Sequence, residues 1–273
     1  YPRYNKNNSL LKENIVKNKI FTLFLLLLSI LCVSNIQAQT ETTYQLPDVE
    51  AIRPSDDSIT IDQLIKELPE TASIDNPLLF LVNRDNLLEY DPYIPFVYSE
   101  NGQPYHEAMA APLAEMRAAA AEVGYYYNFI SGYRSIAEQA FNYESRFNSY
   151  LYEGYSEADA QYMTDQYVAP SNGSEHTTGL AVDLLGAEFG YELYVSYQYE
   201  PSAQWLAENA HHYGFILRYL EGKTDITKIN FEPWHFRYVG VEHAEFIHKH
   251  GLVLEEYIAL IQERDSRQKL DQN

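Results

Sequence analysis

Ser174-Glu175-His176-Thr177-Thr178-Gly179-Leu180-Ala181-Val182-Asp183 is the stretch from which the fold is read. A polar loop turns at Gly179 into a short apolar run that continues through Leu184 and Leu185. An apolar run this short, bounded by turn chemistry, predicts a buried strand over 180–185. Working outward, Tyr125 to Ile130, Phe215 to Tyr219 and Trp234 to Val239 are aromatic or β-branched and predict further strands, as does Leu78 to Val82. Helix formers fill the gaps. His106 to Val123 is Ala-rich and stopped by Gly124, and Ala137 to Tyr167 is helical with an interruption near Gly154. Ser202 to Tyr213 is an amphipathic helix capped by Ser202 and ended by Gly214, and Val241 to Glu263 closes the domain. Helices and short strands in this irregular order predict an α+β fold, a small and mainly antiparallel sheet flanked by helices.

Three clusters sit at strand ends or in loops entering strands, where a rigid scaffold presents functional groups: Ser131-Gly132-Tyr133-Arg134, the opening stretch, and Glu232-Pro233-Trp234-His235. Asp183 lies between Val182 and Leu184, so its carboxylate enters a core. An ionised carboxylate there costs several kcal/mol unless it is paired or bound to a metal. A turn at Gly179 can bring His176 to the same point, and His235 follows Trp234 on a second aromatic strand. Two imidazoles and a carboxylate suit one zinc ion with an open position for water. Taken alone, a loop histidine is usually a surface residue and a strand-flanking aspartate a salt-bridge partner; the reading rests on the clusters jointly. Glu232, three residues before His235, can take a proton from water whose pKa the metal lowers to ~7. Arg134 offers a planar fork for a carboxylate, and an arginine beside a catalytic zinc is the logic of a carboxypeptidase. His106, His211, His212, His243, His248 and His250 show no comparable partners, and those on helices are expected to face solvent.

The chain has 273 residues, 19 Lys+Arg against 39 Asp+Glu, and a formal net charge of −20. With no long basic stretch, nucleic-acid binding is excluded as a reading. Scattered acids without a calcium loop argue against a calcium-binding repeat. The single cysteine, Cys32, rules out an internal disulfide framework and a cysteine zinc site. Lys12, Lys17 and Lys19 precede an apolar run from Ile20 to Val33, too short for a membrane span of ~20 residues, and then Ile36-Gln37-Ala38. This predicts a secretory signal over 1–38 with cleavage after Ala38. A lipoprotein signal wants a small residue before its cysteine, and Leu31 stands there. An uncleaved anchor is the other reading of the same run. Without residues 1–38 the chain keeps 14 bases and 38 acids, suiting an exported protein of the periplasm or cell envelope. Residues 39–75 are polar and Pro-containing, with helix-like spacing only from Ile61 to Leu68, and are expected to form a linker or arm. The catalytic domain is placed at 76–265 and a polar tail at 266–273.

At these residues the chain resembles the VanY-like D-alanyl-D-alanine carboxypeptidases, zinc peptidases whose superfamily includes the D-Ala-D-Ala dipeptidases and the hedgehog signalling domain. The motifs S-G-Y-R-S at 131–135, S-E-H-T-T-G-L-A-V-D at 174–183, G-F-I-L-R-Y at 214–219 and E-P-W-H-F-R-Y-V-G at 232–240 carry the resemblance. It implies that His176, Asp183 and His235 bind zinc, that Glu232 is the catalytic base, and that Arg134, Ser174 and Gln139 hold the terminal carboxylate. It implies a peptidoglycan stem peptide that loses its terminal D-alanine. An L,D-carboxypeptidase trimming tetrapeptides, and a non-catalytic zinc-containing binding domain, are the alternatives. The loop from Val168 to Ser174 is slightly long for the family and Leu220 stands where proline is common; neither touches a ligand.

Overall fold

The computed structural model describes residues 44–271. The signal reading, with Cys32 and the cleavage after Ala38, falls outside them. Among the described residues no helix is long and apolar enough to cross a membrane.

Two sheets form. β1 (Phe96–Tyr98) and β2 (Pro104–His106) make a small antiparallel hairpin that the sequence reading did not anticipate. The main sheet contains β3 (Tyr127–Ser131), β4 (Ala181–Gly186), β5 (Phe215–Leu217) and β6 (His235–Tyr238), ordered β3-β4-β6-β5 and antiparallel throughout. Every residue of β4 and β6 is buried, so neither strand alternates between a buried and a solvent face.

The helices are α1 (Ile61–Glu67), α2 (Ala110–Glu122), α3 (Ile136–Tyr152), α4 (Glu157–Asp165), α5 (Pro201–Asn209), the single turn α6 (Thr224–Thr227), α7 (Val241–His250) and α8 (Leu254–Asp271). Ser135 and Glu138 form a reciprocal capping box at the start of α3, fixing that helix immediately after Arg134. The sheet and α2 enclose one core, with Phe129, Val182, Leu184, Phe215 and Phe236 at its centre.

Several expectations change. Leu78 to Val82 is not a strand: Pro77 opens a 3-10 turn over Pro77–Leu79, capped by the Asn76 side chain. The carbonyls of Leu78 and Phe80 accept from Arg237 instead of joining a ladder. The closing helix divides, because Gly251 adopts φ 62 and ends α7, whereas the interruption expected near Gly154 does separate α3 from α4. α8 then runs to Asp271, so the described part of the polar tail is helical. α5 begins at Pro201 after an uncapped Glu200, and Ser202 is buried with its hydroxyl on Tyr197. Residues 44–75 contribute Tyr44, Ile52, Leu64, Leu68 and Ala72 to a second core against α7 and α8. They cover the α7 face carrying His243 and His250, seven residues apart, and both histidines are buried rather than solvent-facing. His243 is held between the Tyr257 hydroxyl at 2.8 Å and Asn76 at 3.2 Å.

Candidate active site

The sheet register assembles the site. Ser131 pairs with Asp183 across β3 and β4, and Asp183 pairs with His235 across β4 and β6. Directly paired residues share a face of the sheet, so the aspartate and the histidine must meet. A register shift between Phe129 and Ser131 marks a bulge that re-aims the end of β3 toward this row.

His176 arrives from a short 3-10 turn, Glu175–Thr178. Gly179 ends that turn at φ 68, in the left-handed region, and a Cβ there would press on Ile94 and the backbone of His106. His176 Nδ1 lies 2.6 Å from the Gly132 carbonyl. A carbonyl only accepts, so Nδ1 carries a proton and donates it there, which turns Nε2 into the site, 3.3 Å from Asp183 Oδ2. Gly132 is required here, since a Cβ would collide with the Pro104 carbonyl.

His235 turns Nδ1 to the site, 3.1 Å from Asp183 Oδ1 and 3.8 Å from Glu232 Oε2. Its other nitrogen, Nε2, faces Glu175 Oε2 at 3.5 Å, and neither atom has another partner. The two imidazoles stand edge to face at 88°. One donor atom each from His176, Asp183 and His235 lie within 4.8 Å of one another, and all three residues are buried. The local field favours a cation. Burial opposes ionisation of Asp183, yet the His176 and His235 imidazoles hold its carboxyl well below the usual carboxylate range. Burial also opposes charge on His235, but Asp183 and Glu175 raise it to about 9. Two nitrogens and a carboxylate oxygen, converging and buried, fit a zinc ion.

Burial pushes the Glu232 carboxyl up to about 8, with the Asp183 charge adding to it against the opposing pull of His235 and Arg134. Arg134 Nη1 donates to Ser131 Oγ at 3.1 Å, and its Nε is buried without a partner. Burial lowers its pKa, with Asp183 and Glu232 opposing. Gln139 Nε2 donates to the Ala169 carbonyl at 2.8 Å and leaves Oε1 unpartnered. Arg134, Gln139, Ser174, His176, Asp183, Glu232 and His235 all line one cavity of about 610 Å³, walled further by Trp234, Tyr219 and the loop Tyr191–Val195. All seven residues singled out from the sequence therefore come together.

The sequence reading missed what stands behind them. Glu175 is fully buried, and its Oε1 accepts from Arg218 Nε and Arg237 Nη1, both at 2.8 Å. Arg218 also makes a bidentate pair with Glu255 at 2.6 and 2.9 Å, and Asn83 donates to the same carboxylate. The signal was present: Arg218 and Arg237 interrupt otherwise apolar strand sequence, and Glu175 precedes a ligand candidate.

An antiparallel sheet that presents two histidines and an aspartate beside a buried glutamate and arginine defines a metal-dependent hydrolase. The family model described as VanY, D-alanyl-D-alanine carboxypeptidase, matches residues 103–241, just over half of the chain, and the chain belongs to that family. A D-alanyl-D-alanine carboxypeptidase of Enterococcus faecalis is 36% identical over 183 residues, 66% of this chain and 65% of that protein. This chain thus spans just under two thirds of that relative's length. Among solved structures, a vancomycin-resistance D,D-pentapeptidase VanY from a VanB-type cassette, in complex with Zn(II), superposes with a TM-score of 0.59 at 35% identity, covering 67% of this chain and 99% of that one. The LdcB LD-carboxypeptidase gives 0.56 at 32% identity, covering 72% and 96%.

Proposed function

We propose that this protein is a zinc-dependent D,D-carboxypeptidase that removes the terminal D-alanine from peptidoglycan stem peptides. The observation that carries the reading is a single cavity holding a His₂Asp donor set, the buried Glu232 carboxyl beside it and an Arg134 guanidinium with no carboxylate partner. His176, Asp183 and His235 would hold the zinc, which when bound supplies Lewis-acid polarisation of the scissile carbonyl and acidifies water. Arg134 holds the terminal carboxylate of the peptide, with Ser174 and Gln139 beside it, and selects substrates with a free C-terminus. Glu232 takes the proton of the attacking water and returns it to the leaving D-alanine amine. Its Oε2 lies 3.8 Å from His235 Nδ1, beside the donor set where the water would be held.

The chain is exported, consistent with the basic-then-apolar segment at 1–38, and acts in the periplasm or cell envelope. The test is release of D-alanine from defined penta- and tetrapeptides. The protein should trim the D-Ala-D-Ala pentapeptide, stop at the tetrapeptide, ignore an amidated C-terminus and lose activity to a chelator. Cleavage of the tetrapeptide alone would assign it as an L,D-carboxypeptidase, and no cleavage of any D-Ala-terminated peptide would overturn the reading.

A further inference from the structure

Of the nine described arginines, six contact a carboxylate: Arg84, Arg117, Arg218, Arg237, Arg264 and Arg267. Arg53 donates to backbone carbonyls. The remaining two, Arg134 and Arg146, have no carboxylate partner, and both line the catalytic cavity. Acids outnumber bases 39 to 19 in this chain, so a guanidinium without a carboxylate partner needs a reason. Arg134 has one in the peptide terminus. Arg146 is exposed, yet it is not adrift. Its guanidinium lies 4.8 Å from the centre of the Tyr150 ring, and Tyr150 is itself buried. A cation held over an aromatic face keeps its N–H donors available to a ligand.

We infer that Arg146 forms a second anion subsite, which binds a free carboxylate carried upstream of the scissile end of the substrate. This deepens the carboxypeptidase reading and rests on it. Gln139, Asn142 and Arg146 are spaced three and four residues apart on α3, all line the cavity, and so form one stripe along the helix. At about 1.5 Å per residue, Arg146 stands about 10 Å along the helix from Gln139. An extended peptide covers about 3.3–3.6 Å per residue, so a chain anchored near Gln139 brings its third or fourth residue from the C-terminus to Arg146. A stem peptide carries a carboxylate at either place: on the side chain of meso-diaminopimelate, where that replaces lysine, or as the α-carboxylate of the γ-linked D-glutamate, where it is not amidated.

Four synthetic pentapeptides ending in D-Ala-D-Ala separate these sources, with lysine or meso-diaminopimelate third from the end and D-glutamate or D-isoglutamine fourth. D-alanine release is measured for the zinc-loaded wild type and Arg146→Gln. The variant should raise KM about tenfold, with kcat kept, for peptides bearing the recognised carboxylate. The lysine–isoglutamine peptide, which has neither carboxylate, should be unaffected. Whether the loss follows the diaminopimelate or the glutamate identifies the source. Unchanged KM across all four peptides, or an equal loss across all four, would overturn the subsite while leaving the carboxypeptidase reading intact. A wild type inert toward all four would overturn both.

Discussion

Removing the carboxylate of Glu175 should damage both stability and metal retention, and the structure says by how much. In Glu175→Ala, Arg218 keeps its bidentate pair with Glu255. Arg237, fully buried, keeps only the carbonyls of Leu78, Phe80 and Tyr238. Breaking a buried pair by deleting one partner costs about 3–5 kcal/mol. For a domain of this size each kcal/mol lowers Tm by about 2–4 °C, so the loss should be roughly 6–20 °C. His235 Nε2 simultaneously loses the only group facing it, which should weaken metal binding by about 10–100-fold. The pH dependence has a definite sign. Burial works to raise the Glu175 carboxyl, but Arg218 and Arg237 hold it well below its ordinary 4.5. The unfolded chain therefore binds the proton first, and the stability Glu175 contributes is present above about 4.5 and lost as pH falls below it. The assay is thermal unfolding of wild type and variant between pH 3 and 8, with metal affinity from chelator competition on the same samples. A variant with wild-type Tm at neutral pH and an undiminished metal affinity would refute the assignment of Glu175 as the support of His235.

Other substitutions separate the roles inside the cavity. His176→Ala removes one of three donors and should sharply reduce metal content, measured by elemental analysis; a full equivalent of zinc retained would refute the donor set. Glu232→Ala should keep its zinc and its fold while kcat falls by about 10²–10⁴; loss of the metal together with activity would instead make Glu232 a ligand. Arg134→Lys keeps the charge and loses the fork, so KM for free-carboxylate peptides should rise while zinc remains bound. Unchanged kinetics would remove Arg134 from carboxylate recognition.

The site was legible because its chemistry conflicts with its surroundings. Asp183 among Val182, Leu184 and Leu185 has no reason to be there unless something neutralises it, and the strand register delivers that partner in His235. The strands of the main sheet were legible for the opposite reason, as runs of residues that suit a buried sheet. What escaped depended on tertiary packing. Leu78 to Val82 has strand composition, but Pro77 and the reach of Arg237 decide its conformation. His243 and His250 sit on a helix that looks amphipathic in isolation, and distant residues close over them: Tyr257 and Asn76 over His243, Glu67 beside His250. Glu175, Arg218 and Arg237 lie tens of residues apart, and nothing local says that they meet.

The charges in and behind the cavity fit the proposed chemistry as a set. Setting aside the separate Lys223–Glu256 pair, four carboxylates converge there, from Glu175, Asp183, Glu232 and Glu255, against three guanidinia, from Arg134, Arg218 and Arg237. A low-dielectric interior penalises any imbalance. With every carboxyl ionised and both site histidines neutral, as metal ligands are, the set carries one net negative charge, and a divalent ion would turn that into one net positive charge. A ligand bringing a single negative charge to Arg134 then neutralises the site, whereas an amidated terminus leaves the excess in place. On the proposed function, selection for a free terminal carboxylate would therefore draw on the whole set and not on Arg134 alone. Two of its members depend on residues outside the matched family region: Glu255 belongs to α8, and Arg237 is anchored on the carbonyls of Leu78 and Phe80. The segment carrying Leu78 and Phe80 and the last helix thus hold two members of this set in place.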